Sequence, residues 1–276
     1  FGKLDCFHRH RINRRCSSEA HLATLHSINP SCSVQLARED LAAGLRWAAQ
    51  LGMHEGTCNH FSVVVPDRED HYLINPFGLH FSEIRASDLL MLDGEGNIVE
   101  GEGSVEASAF HIHSAVHRAN PKAACVLHTH MPYACAILAI KDAKLELCHQ
   151  NAARFHNRIA YDHEVAGGFQ GLALDDDEGS RMARALGEKT ILFLECHGPI
   201  VTGPTVAQAF DNLYYLERAA QVQVLAQSMS KPLALISEEM AEHVCNEFMS
   251  QAQEYADAHF GSIKRMLDRK DPTWRD

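Results

Sequence analysis

The chain has 276 residues, 46% hydrophobic and 22% charged, with a formal net charge of -11. That length suits one large α/β domain or two small ones, and the composition is that of a folded globule. The acidic balance argues against wholesale binding of nucleic acid or an anionic membrane surface, and no run of 18 apolar residues marks a transmembrane helix.

Residues 1–33 stand apart from the rest. His8-Arg9-His10-Arg11 and Arg14-Arg15 form a basic cluster, followed by Ser17, Ser18, Asn29 and Pro30. A flexible basic N-terminal arm is expected, suited to contact with a neighbouring subunit or to no ordered contact at all. The chain begins at Phe1 rather than Met, as a processed or trimmed chain does.

From Ala37 to Gly52 the apolar residues Leu41, Leu45, Ala48 and Leu51 recur at helical spacing, with Gly52 where a helix stop belongs. His60 to Val65 reads as a strand, Pro66 to Asp70 as a turn and Tyr72 to Ile74 as the partner strand. Pro76-Phe77-Gly78 is a loop, Ser87-Asp88 a short turn, Leu89 to Leu92 a further strand and Asp93-Gly94-Glu95-Gly96 a hairpin turn. A helix over Ser108 to Ala119 ends before Asn120-Pro121 and carries His111, His113 and His117. Of these only His113 and His117 share a face, and ordinary packing is the expected role of all three.

Ala124 to His130 reads Ala-Cys-Val-Leu-His-Thr-His. In extended chain His128 and His130 point to the same side, and two imidazoles on one face are half of a metal site. A helix then starts at Pro132, and Ile159 to Tyr161 forms a short edge strand. Residues 165–174 are a glycine-rich loop, and Asp175 to Glu178 give an acidic start to a helix running to Leu186. Residues 191–196 read as a buried strand that delivers His197. Thr202-Gly203-Pro204-Thr205 reads as a turn capping a long helix from Val206 to Ser228, on which Asp211 and Glu217 are placed on a solvated face. Tyr214 and Tyr215 are expected in the core, and Cys196 as a buried thiol. The tail from Ser237 to Leu267 is helical in pattern and long enough to reach a neighbouring subunit. Residues 34–230 form one domain, and 231–276 a C-terminal helical extension. Nine cysteines stand singly, with no CxxC pair, which points to reduced thiols in a cytoplasmic protein.

Three histidines from two strand ends, with one coordination position open, are the makings of a catalytic zinc-type centre. Among 19 histidines, an isolated His-x-His is also the pattern of a surface accident or of packed core histidines. The ordered set Asn59-His60, Pro76-Phe77-Gly78-Leu79 with Ser82-Glu83, the His111-to-Pro121 helix, His128-Thr129-His130 and His197-Gly198 resembles the class II aldolase and adducin family over about residues 35–230. The resemblance implies a three-layer α/β/α sandwich with a mainly antiparallel central sheet. It also implies a homo-oligomer, often a tetramer, with active sites near subunit interfaces. His128, His130 and His197 fall on that family's metal-binding histidines, so a divalent metal is implied, zinc first, with iron or manganese compatible with the same donors.

The family's aldolases carry an acid/base Glu nineteen positions before the first of these histidines; here that position is Ala109. Their Gly-Asn phosphate-binding pair is replaced by Asn59-His60, and their Ser/Thr-Ser set is reduced to Ser108. These departures bring the chain closer to the adducin-type branch. Glu106, one helical turn earlier, and His60 are the candidate acid/base groups, with His149 a further one; Asn59, Gly78 and Ser108 are the candidate substrate-binding residues. The function expected is a metal-dependent carbon–carbon lyase that decarboxylates or cleaves a small hydroxy acid, keto acid or sugar derivative through an enediolate. The alternative is a non-catalytic, adducin-like oligomerisation or binding module with a vestigial or structural metal. Adducins bind actin and spectrin through a basic C-terminal tail; no lysine-rich stretch precedes Asp276, so such binding is not expected.

Overall fold

The computed structural model describes residues 30–68, 70–165, 169, 171, 173 and 175–276. The arm over residues 1–29 and most of the glycine-rich loop lie outside the described residues. Helix α1 (Pro30–Gln50) buries Leu41, Leu45 and Ala48, and Gly52 follows it at φ 66°, the left-handed conformation that glycine adopts without strain. The helix begins seven residues before its expected start, so residues 30–33 belong to it rather than to the arm; proline is at home in the first helical turn.

Strands β1 (His60–Val64), β2 (Tyr72–Ile74), β3 (Leu90–Leu92) and β4 (Ile98–Glu100) form an antiparallel meander. The β3–β4 turn is closed by Asp93, whose Oδ1 accepts the backbone N–H groups of Glu95 (3.0 Å) and Asn97 (2.9 Å). Helix α2 (Ala107–Ala119) leads to strand β5 (Cys125–His128), and Pro132 opens helix α3 (Pro132–Leu138). Helix α4 (Gln150–Ala153), strand β6 (Ile159–Tyr161) and the one-turn helix α5 (Asp162–Val165) follow. Helix α6 (Asp176–Leu186) starts on an Asp175 cap that accepts the Glu178 N–H. Strands β7 (Ile191–Phe193) and β8 (Pro199–Gly203) then lead into helix α7 (Val206–Ser228), capped by Thr205.

The eight strands form one sheet in the order β4-β3-β2-β1-β5-β8-β7-β6, antiparallel throughout except for the β6–β7 pair. Two expectations change here. The strand before His197 ends at Phe193, three residues early, and the supposed turn at Thr202-Gly203 is the end of β8. The five residues of β8 are buried on both faces, so they lack the alternation that marks a half-buried strand.

Side chains alternate across the sheet and divide the core in two. Phe61, Leu127, Phe193 and Val201 face the large core made with α1, α3 and α7. Val126, Leu192 and Ile200 face α2 and α6 on the other side, giving the α/β/α sandwich. Helices α2 and α6 touch so closely that a Cβ at Gly179 would lie 2.2 Å from the His111 carbonyl oxygen. The tail folds as helices α8 (Glu238–Ser250) and α9 (Ala252–Lys270); α9 packs on α1 and α7 of its own chain, and Trp274 beyond it is fully buried.

Asp211 and Glu217 are both buried, against the expectation of a solvated face. Asp211 pairs with Arg154 (2.5 Å) and His259 (2.8 Å). Glu217 accepts the Tyr133 and Ala134 N–H groups at 2.9 and 3.0 Å, and so supplies the cap of α3 from across the core. Tyr214 and Tyr215 pack edge to face with each other and against His259. No described helix is long and apolar enough to cross a membrane.

Candidate metal centre

His60 and His128 are direct partners across β1 and β5, and the pleat turns both toward α2. His130 lies two residues past His128, beyond the last ladder pair. His197 comes from the tight turn between β7 and β8. Cys196 before it is left-handed (φ 55°), and a Cβ on Gly198 after it would lie 2.6 Å from the Thr129 carbonyl oxygen. Only glycine lets this turn press onto the His128-Thr129-His130 segment. Cys196 is exposed rather than buried, since the strand has already ended.

The three imidazoles converge. Ring centroids of His128, His130 and His197 are 4.7–5.1 Å apart, and one ligand nitrogen from each lies within 4.8 Å of the others. The hydrogen bonds on the far ring nitrogens decide which atoms face inward. His128 Nδ1 donates to the Pro199 carbonyl at 3.1 Å, and His130 Nδ1 donates to the Glu55 carboxylate at 2.5 Å. With both rings neutral, as metal binding requires, both Nε2 atoms carry lone pairs, and they face each other at 3.2 Å. Two lone pairs at that distance repel unless they share a cation. Ligand nitrogens around a tetrahedral ion with bonds of about 2.0–2.1 Å stand about 3.3 Å apart, so this pair has the spacing of a metal edge. Burial holds the His128 pKa well below its ordinary value, with His197 and His60 adding to the shift. Burial and the His130 ring lower His197 to about 4. His128 and His197 are thus neutral at neutral pH, the state in which an imidazole binds a metal.

Asn59 is 2% exposed and sits under this group. Its Oδ1 accepts the Glu55 N–H at 2.7 Å, which fixes the amide orientation, while Nδ2 is a buried donor with no partner among the described residues. The His60 ring stacks on His128 with centroids 4.9 Å apart, and Asn75 ties the segment down by accepting the Phe61 N–H at 2.8 Å. Burial, partly opposed by the charge of Glu106, lowers the His60 pKa to about 4.

Glu106 is the N-cap of α2: its carboxylate accepts the Ala109 N–H at 3.0 Å and the Ser108 hydroxyl. Burial pushes this carboxyl up, but the Ser108 and Ala109 hydrogen bonds and the His60 ring outweigh it and hold the group below the usual carboxylate range. Ala109 is buried in a small apolar cluster with Ile74, Leu90 and Leu92. Ser108 is thus committed to Glu106. Gly78 turns its loop at φ 89° with open space where a Cβ would be. His149 caps α4, its Nδ1 accepting the Asn151 N–H, and takes no part in the histidine group.

Glu55, Ser62 and the Pro199 carbonyl contribute to this region without having been singled out from sequence. Ser62 could have been found, because it lies two residues from His60 on the same strand face. Glu55 could not: it is a loop residue, and only the fold brings it to His130.

The family model for the class II aldolase and adducin N-terminal domain matches residues 39–224. A Caulobacter vibrioides protein, whose name assigns it provisionally to aldolase class 2, is 34% identical over 87% of this chain and 92% of its own. The decarboxylase NovR of Streptomyces niveus is 38% identical over 69% of this chain and 70% of its own. Among solved structures, an aldolase II superfamily protein from Pseudomonas syringae superposes with a TM-score of 0.80 at 33% identity, covering 90% of this chain and 98% of that one.

Proposed function

We infer that this chain, which belongs to the class II aldolase and adducin family, is a metal-dependent lyase acting on a small acid or sugar derivative with neighbouring oxygens. The observation that carries the reading is the pair of Nε2 atoms held 3.2 Å apart, with Pro199 and Glu55 on the opposite ring nitrogens and His197 completing the group. His128, His130 and His197 would hold a divalent ion, zinc by donor type and geometry, with iron or manganese accepted by the same imidazoles. When bound, the ion supplies a Lewis acid for negative charge developing on a substrate oxygen. Among the described residues the group stops at three protein ligands. That count belongs to catalytic rather than structural zinc sites, and it favours an enzyme over an adducin-like binding module.

The remaining roles fall to the chain itself. Asn59 Nδ2 offers a buried donor, and such a donor left unpaired costs free energy that a substrate oxygen would recover. His60 and Glu106 are the groups able to move a proton beside the triad. Aldol cleavage takes a proton from a substrate hydroxyl, and a methyl group stands at Ala109 where the resembled aldolases carry a carboxylate. Decarboxylation is less demanding where a carbonyl stands β to the carboxylate: the bond to the carboxylate breaks, carbon dioxide leaves, and the electron pair of that bond passes directly into an enolate, with no hydroxyl proton to remove. We therefore place decarboxylation of a hydroxy or keto acid first and aldol-type cleavage second. The similarity to the decarboxylase NovR agrees with that order. A cytoplasmic homotetramer is the proposed assembly, and light scattering on the purified protein reports the subunit number.

The test is elemental analysis followed by turnover. Purified protein should hold about one divalent ion per chain and release carbon dioxide or a carbonyl fragment from at least one member of a panel of hydroxy acids, keto acids and sugar phosphates. Protein that carries its metal yet turns over none of them would count against the lyase and for the binding module.

A further inference from the structure

A chain of buried histidines runs away from the metal centre, and its hydrogen bonds have a single allowed direction. It ends on the Ala123 carbonyl, 2.7 Å from His117 Nδ1. A carbonyl only accepts, so His117 Nδ1 carries a hydrogen. The ring is enclosed, and burial, partly opposed by that same bond, lowers its pKa to about 4. A neutral His117 has one hydrogen, so its Nε2 must accept. Nε2 lies 2.7 Å from the Ser62 hydroxyl, which therefore donates to it.

A hydroxyl has one hydrogen to give. Having spent it on His117, Ser62 Oγ can only accept from His113 Nδ1, 2.5 Å away. His113 thus carries its hydrogen on Nδ1. Burial, reinforced by His60 and His117, holds this ring neutral as well. Its Nε2 must then accept from His60 Nδ1 at 2.8 Å. The last consequence falls on His60: the hydrogen sits on Nδ1, and Nε2, with no hydrogen-bond partner among the described residues, presents a lone pair.

We propose that Ser62, His113 and His117 are positioning residues, which with the Ala123 carbonyl lock His60 as its Nδ1–H tautomer and keep its Nε2 a proton acceptor beside the three-histidine centre. The opposite tautomer would make the same atom a donor and reverse the role of His60. Because the chain terminates on a carbonyl rather than at solvent or a carboxylate, it fixes orientation and does not conduct protons away. Tyr72 lies flat on His117 with centroids 4.8 Å apart and planes 10° from parallel, which keeps that terminal ring from turning. The tautomer follows from the hydrogen bonds of buried, neutral rings; its use in catalysis rests on the lyase reading above.

The two halves are tested separately. Neutron diffraction from crystals of the perdeuterated, zinc-loaded chain at neutral pH locates each deuteron. Deuterium on Nδ1 of His60, His113 and His117, with none on His60 Nε2, is the expected map. Deuterium on His60 Nε2 with Nδ1 bare would overturn the proposal whatever the protein catalyses. The functional half is read from deuterium exchange into dihydroxyacetone in heavy water. Ser62→Ala should slow kcat about a hundredfold at unchanged KM, zinc content and circular dichroism, and Ser62→Thr, which restores the hydroxyl, should recover most of it. Equal rates in wild type and Ser62→Ala would refute the positioning role. A wild-type protein that exchanges nothing would instead count against aldol-type cleavage and leave the neutron map to decide the tautomer.

Discussion

Two buried polar clusters lie on opposite faces of the sheet and solve the same problem differently. Behind α7, Arg154 and Asp211 meet as ions 2.5 Å apart, His259 hydrogen-bonds the same carboxylate, and the guanidinium is held between the Tyr215 ring at 4.1 Å and the Phe248 ring at 4.8 Å. In front, under α2, five buried or half-buried rings (His60, His113, His117, His128 and His197) have their pKa values lowered by burial and remain neutral. A buried charge persists only with a partner; a buried base without one gives up its proton. The first solution makes a clamp between α4, α7 and α9. The second makes a set of lone pairs, which is what binding a metal requires.

The widest separation between the two should come from deleting one member of each. His128→Ala removes a ligand, and the purified variant should contain almost no metal while its circular dichroism stays native. Asp211→Ala should do the reverse. It strands Arg154 in the core, a loss of about 3–5 kcal/mol read by denaturant unfolding, while folded molecules keep their full metal content. A His128→Ala protein that retained stoichiometric metal would show that the ion sits elsewhere.

Acid should then discriminate between the clusters. His117 titrates near 6.5 in the unfolded chain and near 4 when folded. Between those values the unfolded state binds the proton and the folded state does not. The stabilisation is therefore complete above about pH 6.5 and is lost as pH falls toward 4. A shift of that size corresponds to about 3 kcal/mol, or about 6–12 °C in Tm for a chain of this length. Tm measured from pH 7.5 to 4.5 should fall steeply in the wild type and less in His117→Gln. A Tm indifferent to pH across that window would mean that His117 is not buried and neutral.

The same contrast explains what the sequence could reveal. The three candidate ligand histidines were legible because each follows or ends a short apolar strand, and alternation places His128 and His130 on one side. The shared face of His113 and His117 follows from helical pitch. Their joining through Ser62 was not legible, because it needs β1 against α2, a contact between residues 51 and 55 positions apart. Asp211 and Glu217 were misplaced for a related reason. A charged side chain reads as solvent-facing unless its partner is known, and here the partners are Arg154 from α4 and the first N–H groups of α3. Strand β8 escaped because burial on both faces erases the period of two. Local pattern survives in the sequence; pairing between distant elements does not.

The smallest expected effect concerns Glu55. Its carboxylate is 69% exposed and meets His130 Nδ1 at 2.5 Å. An exposed contact to a carboxylate contributes little to folding, so Glu55→Ala should leave the unfolding midpoint nearly unchanged. A carboxylate that orients a ligating imidazole does something different: it holds the Nδ1–H tautomer and raises the basicity of Nε2, and losing such a partner typically weakens metal binding about 10–100-fold. Competition with a chelator should therefore expose a loss that thermal unfolding of the metal-free protein does not. Glu55→Gln keeps a carbonyl acceptor for the Nδ1–H and should fall between wild type and alanine. If alanine and wild type compete equally for zinc, Glu55 is a surface residue that happens to touch His130, and the Pro199 carbonyl behind His128 is the stronger orienting contact.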